Sequence, residues 1–209
     1  MLLPNDFSTL TEQLLGDEGA KQFMEAIADE AVVSIRQNPY KWPFDHQEIK
    51  HNDGYVAWCE NGLYLNSRPS FTFDPLMHAG CYYVQEASSM FLSQVMRQYI
   101  TAPCKMLDLC AAPGGKSTVA RSILNEESLL ISNEPIRNRA QILSENITKF
   151  GHPYCIVTNN YPKDFKQCGT QFDIILTDVP CSGEGMFRKD KKAISEWSLQ
   201  NVENCWKRQ

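Results

Sequence analysis

No stretch of this chain approaches the ~20 consecutive apolar residues that a membrane-spanning helix needs. Its opening, Met1-Leu2-Leu3-Pro4-Asn5-Asp6, has neither the basic segment nor the apolar core of a signal peptide. These absences predict a soluble, cytoplasmic protein with no membrane partner. The eight cysteines, at 59, 81, 104, 110, 155, 168, 181 and 205, never fall into C-x-x-C spacing, so reduced thiols are expected rather than a zinc site or a disulfide framework. The four histidines, at 46, 51, 78 and 152, lack the i, i+4 pairing of a helical metal site, and no metal is expected. An excess of positive charge is missing too: 20 Lys and Arg stand against 25 Asp and Glu, a net charge of −5. Any contact with a polyanion must therefore rest on local patches. Internal repeats and low-complexity tracts are absent, which excludes solenoid and disordered classes. What remains, 209 residues with 43% hydrophobic content, is enough for one or two globular domains.

The most informative stretch is Met106-Leu107-Asp108-Leu109-Cys110-Ala111-Ala112-Pro113-Gly114-Gly115-Lys116. A short apolar strand there passes through small residues into a helix spanning 117–124, with Val119, Ile123 and Leu124 inward. A glycine-rich turn of this kind at the carboxyl end of a strand is where open α/β sheets bind nucleotide-like cofactors. Gly115-Lys116-Ser117 hints at a triphosphate, but a phosphate-cradling loop needs glycine six residues before its lysine, where Cys110 stands, and Pro113 removes an amide donor. Glu134 closes the next apolar run, Leu129 to Asn133. An acid about 20 positions beyond the turn is placed to accept both hydrogen bonds of a ribose diol. Asp108 and Glu134 would repel phosphate and welcome a sulfonium, as in S-adenosylmethionine. A dinucleotide fold in which Glu134 merely caps a helix before Pro135 stays equally open from the turn alone.

Farther on, Phe172-Asp173-Ile174-Ile175-Leu176-Thr177-Asp178-Val179-Pro180-Cys181-Ser182-Gly183-Glu184-Gly185 repeats the strand-to-loop pattern with reactive groups. Carbon 5 of a pyrimidine is a poor nucleophile until a thiolate adds to carbon 6, so a cysteine next to a carboxylate suits that chemistry. Asp178 and Cys181 are the candidate catalytic residues. A free cysteine is more often a small buried residue, and the loop context favours the reactive reading. The run Arg188-Lys189-Asp190-Lys191-Lys192 is a candidate phosphate-contacting patch, or a solvated basic turn.

Along the chain, Leu10, Leu14, Ala20, Phe23, Met24 and Ile27 predict two short helices broken around Gly16 and Gly19. Strands are predicted at 32–36 and 55–59, with Asn61-Gly62 as the hairpin turn before Leu63-Tyr64-Leu65. Trp42, Trp58 and neighbouring tyrosines are read as core packing before RNA stacking. A helix over 85–99 is expected to face Phe91, Leu92, Val95 and Tyr99 inward. Ile136, Ala140, Leu143, Ile147 and Phe150 mark a clean amphipathic helix stopped by Gly151, between strands at 129–134 and 154–158 and ahead of a fourth at 172–177. Strands alternating with helices imply an α/β, doubly wound parallel sheet. A small α+β auxiliary, RNA-binding-like domain is assigned to 1–75, and the sheet domain to 76–209.

The segments Asp108 to Lys116 and Asp178 to Gly185, together with Ser34-Ile35-Arg36-Gln37-Asn38-Pro39 and Gly80 to Met90, resemble the Sun-type family of RNA cytosine carbon-5 methyltransferases, in its bacterial 16S ribosomal RNA branch. The likeness runs from about residue 3 to the last residue. It implies a Rossmann-like class I methyltransferase sheet, truncated after the fourth strand, with RNA as partner. It also implies that Cys110, Ala111, Ala112, Pro113, Gly114, Gly115 and Lys116 wrap S-adenosylmethionine, that Glu134 binds its ribose, and that Asp178 faces both cofactor and target base. The family's acid that meets adenine is absent from Val157-Thr158-Asn159-Asn160-Tyr161, and Asn160 is the substitute. In the family the attacking cysteine follows a threonine in a later strand, and the Pro-Cys cysteine, here Cys181, helps release the product. No such strand follows here, and Cys205 has no threonine before it. A fragment of a longer enzyme, or a shortened copy acting as a cofactor- or RNA-binding module, is expected.

In that arrangement the fourth strand is central, so Ile174-Ile175-Leu176 would keep one unpaired edge that invites self-association. The 209-residue chain is expected to dimerise, aggregate or fray there. Size-exclusion chromatography with hydrogen exchange checks this, and a monomer strongly protected across 172–177 would contradict it.

Overall fold

In a computed structural model that describes residues 3–42 and 52–209, the chain divides into two compact units, Met1–Ala31 with Val179–Gln209 and Val32–Asp178. His46 and His51 lie outside the described residues. The first unit opens with α1 (Asn5–Ala28), interrupted at Gly16, whose φ of 71° and ψ of 170° are not helical. That break was expected, but the inward face was not. Phe7, Thr11, Ala20 and Ile27 are buried, while Leu14 is 73% and Phe23 39% exposed. The break resets the helical phase, so one periodic stripe cannot run through both halves.

The second unit contains two sheets. The first is antiparallel, with β1 (Val33–Gln37), β2 (Asn52–Tyr55), β3 (Gly62–Leu65) and β4 (Tyr82–Val84) in the order β2-β3-β1-β4. Ile35 of β1 stands opposite both Leu63 and Val84 and, with Leu65 and Tyr82, forms a buried cluster. The strand expected at 55–59 ends at Tyr55. Val56 to Cys59 turn back, with the Cys59 amide donating to Val56 O at 3.0 Å and the Gly62 amide to Cys59 O at 2.8 Å. Gly62 is therefore a strand residue, and its small size has another cause: a Cβ there would lie 2.8 Å from Val56 Cβ.

Between the sheets, α2 (Pro75–Ala79) is capped by Asp74, whose carboxylate accepts from the Leu76 amide at 2.8 Å, and is closed by left-handed Gly80. The helix expected over 85–99 is two pieces, α3 (Ala87–Met90) and α4 (Leu92–Tyr99). Its buried residues are Ala87, Met90, Ser93 and Met96, whereas Phe91, Val95 and Tyr99 are exposed. Ser93 faces inward because its hydroxyl donates to Trp58 O at 2.7 Å, and the Trp58 indole donates to Ala87 O at 2.6 Å. That polar tie, invisible to hydrophobic periodicity, rotates the helix.

The second sheet is parallel. It runs through β5 (Lys105–Asp108), α5 (Gly115–Arg121), β6 (Leu129–Asn133), α6 (Arg137–Phe150), β7 (Cys155–Thr158) and β8 (Ile174–Leu176), in the strand order β7-β6-β5-β8. Successive strands step one way from β5 to β7, and then the chain crosses back to place β8 on the other side of β5. The carboxyl ends of β5 and β8 therefore mark the reversal point where such sheets bind ligands. Met106, Val119, Ala120, Leu124 and Leu130 form one buried cluster with Met96, and Ala111, Ala112, Leu143 and Ile147 form another. Helix α6 buries Ala140, Leu143, Ile147 and Phe150 and stops at left-handed Gly151, as its periodicity predicts; Ile136 precedes it and is 55% exposed. Among the described residues β8 pairs only with β5, and Ile175 is 57% exposed.

The two sheets are joined by buried polar ties. The Asn38 amide donates to Gly80 O and to Phe150 O, both at 2.9 Å, and the Lys41 ammonium to Lys149 O at 2.6 Å. In the first unit, α7 (Lys191–Glu196) and α8 (Leu199–Arg208) complete the structure. There Phe7 meets Phe187 and Trp197 edge-on at 5.1 and 5.4 Å.

Gly80 has φ +76°, and a Cβ added to it would lie 2.0 Å from Lys149 O. Gly80→Ala is expected to cost about 2–4 kcal/mol through steric overlap and strain, read as a lowered urea midpoint with an unchanged m-value.

Candidate functional site

The site is built where β5 turns into α5. Strand β5 carries Asp108 into the interior, where it is 0% exposed. Its Oδ2 accepts from the Ser117 hydroxyl at 2.7 Å, and Ser132 donates in turn to Ser117 at 2.9 Å. Oδ1 is buried without a partner of hydrogen-bond geometry. The Cys110 amide comes near enough only to offset part of the burial. Burial pushes the Asp108 carboxyl up to about 6, the nearby Asp178 charge adds to this, and Ser117 and Lys116 oppose it.

The turn itself is held by its carbonyls. Asn133 donates to Leu109 O at 3.0 Å, Arg139 to Ala112 O at 2.9 Å, Asn146 to Pro113 O at 2.7 Å, and the Thr118 hydroxyl lies 3.0 Å from both Gly114 O and Gly115 O. The Ala111 amide is spent on Asn133 O at 2.7 Å and the Gly114 amide on Ala111 O at 2.8 Å. The amides of Ala112, Gly115 and Lys116 have no hydrogen-bond partner among the described residues. Gly114 takes φ 111°, which requires glycine. Of the other turn residues, Pro113 is exposed and Cys110 half-buried. Burial and then the charges of Glu134 and Asp108 push the Cys110 thiol up, keeping it protonated.

Glu134 sits just beyond β6 and is 1% exposed. Its Oε1 accepts from the Ile136 amide at 3.0 Å, which fixes the chain just ahead of α6 without capping the helix's own amides. Its Oε2 is buried without a hydrogen-bond partner, and Arg139 Nη1 approaches only to 3.4 Å. One carboxylate thus ties the chain ahead of α6 and presents a spare acceptor. Asn160 lies beyond β7 with an exposed side chain, its backbone clasped on both sides by Asn133: the Asn160 amide donates to Asn133 Oδ1 at 3.0 Å, and Asn133 Nδ2 donates to Asn160 O at 2.9 Å.

Lys116 forms an ion pair with Asp178, beyond the end of β8. With its ammonium engaged by a carboxylate, and with Asp108 and Glu134 nearby, the turn lacks the free cation that a polyphosphate needs. Cys110 to Lys116, Glu134, Asn160 and Asp178 all belong to the second unit.

Cys181 belongs to the first unit and is exposed. Beside it in sequence, Pro180 O accepts from the Gln209 side-chain amide at 3.0 Å, and the Ser182 hydroxyl donates to Glu184. Trp197 Nε1 donates to the same carboxylate at 2.7 Å. Burial alone would raise the Glu184 pKa, but these two donors outweigh it and the group is held low. Cys205 is buried in α8. In the basic run Arg188 is spent on the backbone carbonyls of Asp29 and Glu30, and Asp190 caps α7. The aromatic residues weighed for stacking serve packing: Trp42 joins the Ile35 cluster and Trp58 the Val56 cluster.

Asn133, Arg139, Asn146 and Thr118 were not legible as site residues. Each acts by donating to a carbonyl, which any Asn, Arg or Thr can do anywhere. The one available signal was placement, since Arg139 follows Glu134 by five residues at the start of the helix that β6 feeds.

The raised Asp108 pKa fixes the sign of a pH effect. The fold binds this proton more tightly than the unfolded chain does, so its ionisation costs stability progressively between about pH 4 and pH 6, and the full cost of about 3 kcal/mol persists above that. Asp108→Asn keeps an acceptor for Ser117. It is expected to be about 1–3 kcal/mol more stable than the parent at pH 8 and no more stable at pH 4, measured by denaturant unfolding at both values.

Comparison with known proteins returns two family models. One, described as the N-terminal domain of 16S rRNA methyltransferase RsmF, matches residues 3–87; the other, described as 16S rRNA methyltransferase RsmB/F, matches residues 101–209. The chain is 32% identical over 209 residues to the ribosomal RNA small subunit methyltransferase F of Shewanella oneidensis, covering 96% of the chain and 44% of that protein. It is 34% identical over 183 residues to the protein of the same name from Pectobacterium atrosepticum, covering 84% of the chain and 35% of that protein. The chain therefore spans less than half the length of these relatives. Among solved structures, NSun6 from Pyrococcus horikoshii with SFG superposes with a TM-score of 0.80 at 16% identity, covering 98% of the chain and 77% of that structure. At that identity the likeness is one of fold.

Proposed function

The chain belongs to the RsmB/F family of 16S rRNA methyltransferases, and from that premise we propose that it forms the first part of an S-adenosylmethionine-dependent enzyme methylating carbon 5 of a cytosine in ribosomal RNA. Residues 1–75 serve as its auxiliary, RNA-contacting domain and 76–209 as the beginning of the transferase domain. A ribosomal RNA substrate fits a cytoplasmic setting.

The observation that carries this reading is the Oε2 of buried Glu134, which accepts no hydrogen bond and faces only the Arg139 guanidinium at 3.4 Å, beside a turn whose free donors among the described residues include the amides of Ala112, Gly115 and Lys116. These groups match S-adenosylmethionine: a ribose diol supplies donors to Glu134, a carboxylate takes the amides, and the acidic surroundings favour a cation. SFG, with which the Pyrococcus protein was solved, is an analogue of that cofactor. When bound, the cofactor supplies an electrophilic methyl group on sulfur.

The remaining roles belong to the chain's own residues. Cys110 to Gly115 shape the floor of the site, and Pro113 stiffens it. Asp178, oriented by Lys116, hydrogen-bonds the edge of the target base and exchanges a proton there. The Cys181 thiol assists release of the methylated base. Asn160 offers its exposed amide to the adenine edge.

Calorimetry on the 209-residue chain tests the reading. S-adenosylhomocysteine is expected to bind with Kd on the order of 10 μM and ATP not at all. Glu134→Gln, which exchanges a charged acceptor for a neutral amide, is expected to weaken it about 10- to 100-fold. Saturable ATP binding that displaces S-adenosylhomocysteine would overturn the assignment.

A further inference from the structure

Arg36, on β1, is a buried cation with no anion beside it among the described residues. It is 2% exposed, and its partners are neutral: Nε donates to Gln85 Oε1 at 2.8 Å, Nη2 to Thr118 Oγ1 at 2.6 Å and Nη1 to Thr118 O at 3.5 Å. A guanidinium carries five N–H donors, so two remain unspent. Burial pulls its pKa down to about 10, and the groups that counter this are Cys59 and Tyr83, with no carboxylate among them. An uncompensated buried charge costs several kcal/mol, which a fold of ordinary stability retains only with some return.

Arg36 also lines a cavity of about 230 Å³. That is far more than the ~10–15 Å³ a single water needs, and more than a packing defect. Lys149 stands on its wall, and among the described residues its ammonium pairs with no carboxylate. The rest of the lining includes Tyr83, Val84, Met77 and Phe150, an apolar and aromatic surface. None of Cys110 to Lys116, Glu134, Asn160 or Asp178 lines it, although Thr118 and Asn146, which hold the turn's carbonyls from behind, do.

We propose that this cavity is a second ligand site, separate from the glycine turn, that takes a nucleotide by its phosphate. The anion sits against Arg36 and Lys149, completing the unspent guanidinium donors and neutralising the buried charge. The ring of the nucleotide lies against Tyr83, Val84, Met77 and Phe150. The same chemistry is offered by a free mononucleotide and by the 5′-phosphorylated end of an RNA. The assignment stands on the cavity and its charges and does not depend on the transferase reading.

Titration of the 209-residue chain with cytidine 5′-monophosphate, cytidine, inorganic phosphate and a short 5′-phosphorylated oligoribonucleotide tests it. The monophosphate is expected to bind with Kd on the order of 0.1 mM, and cytidine about tenfold or more weaker. Inorganic phosphate should compete. An oligoribonucleotide that binds more tightly than the monophosphate identifies the RNA end as the source, and the reverse order identifies the free nucleotide. Lys149→Glu is expected to weaken the monophosphate about tenfold or more while leaving S-adenosylhomocysteine affinity within about twofold. Glu134→Gln should show the opposite pattern, so failure of one site is distinguishable from failure of the other. Arg36→Lys is expected to weaken the monophosphate as well. Because Arg36 also holds Thr118, a variant there that fails to fold leaves Lys149→Glu to decide. No saturable monophosphate binding, equal binding of cytidine, or unaltered binding by Lys149→Glu overturns the proposal.

Discussion

The structure depends on a turn whose carbonyls are tied backward so that its amides face forward. Leu109, Ala112, Pro113, Gly114 and Gly115 each give a carbonyl oxygen to a side chain, drawn from β6, α6 or α5. A backbone carbonyl turned into the site would repel an anionic or electron-rich ligand atom, and each one held elsewhere frees the neighbouring peptide to point its N–H outward. Small residues at 110–115 are the requirement of this geometry, since Gly114 needs its positive φ and Ala111 and Ala112 pack against Leu143 and Ile147. Three different elements hold the loop in place, and its own composition only lets it take this path.

Charge follows from the same layout. Parallel pairing of β5 with β6 and with β8 aligns their carboxyl ends, so the acids that follow them, Asp108, Glu134 and Asp178, gather around one turn. Such a cluster would be unstable if every member were ionised and unpaired. Asp178 is relieved by Lys116 and Glu134 by the Ile136 amide and the nearby Arg139, while Asp108, which burial makes costly to ionise, is offset only in part by the Ser117 hydroxyl and Lys116. The residual negative character selects for a cationic, hydroxyl-bearing ligand. Lys116, the residue that most suggested a triphosphate, is what holds Asp178.

Much of this was legible in the sequence because it rests on local rules. The four parallel strands, the α6 stripe ending at Gly151, the break at Gly16 and the turn followed by an acid are each written in periodicity or in glycine placement. Two misreadings come from contacts that a periodic pattern does not report. Ser93 turned inward and Phe91 outward because a hydroxyl found Trp58 O, and Gly62 was needed for close approach to Val56 rather than for a turn. Trp58 is 35 positions from Ser93, and Val56 meets Gly62 only because the chain folds back between them; a periodic pattern carries neither fact.

The antiparallel sheet is more than an appendage to the parallel one. Arg36 of β1 donates to the Thr118 hydroxyl, and that same oxygen lies within hydrogen-bond distance of Gly114 O and Gly115 O. Gly115 is also hemmed by Tyr83 and Gln85, whose atoms would lie 3.2 and 3.3 Å from an added Cβ. The first turn of α5 is thus pressed from behind by β4 and the residues following it, and clasped by a guanidinium from β1. The Arg36–Thr118 hydrogen bond couples the antiparallel sheet directly to the first turn of α5, and Tyr83 and Gln85 leave no room for a side chain at 115. The sheet that precedes the glycine turn in the chain therefore sets the position of the amides that the turn presents, and the two sheets act as one binding scaffold.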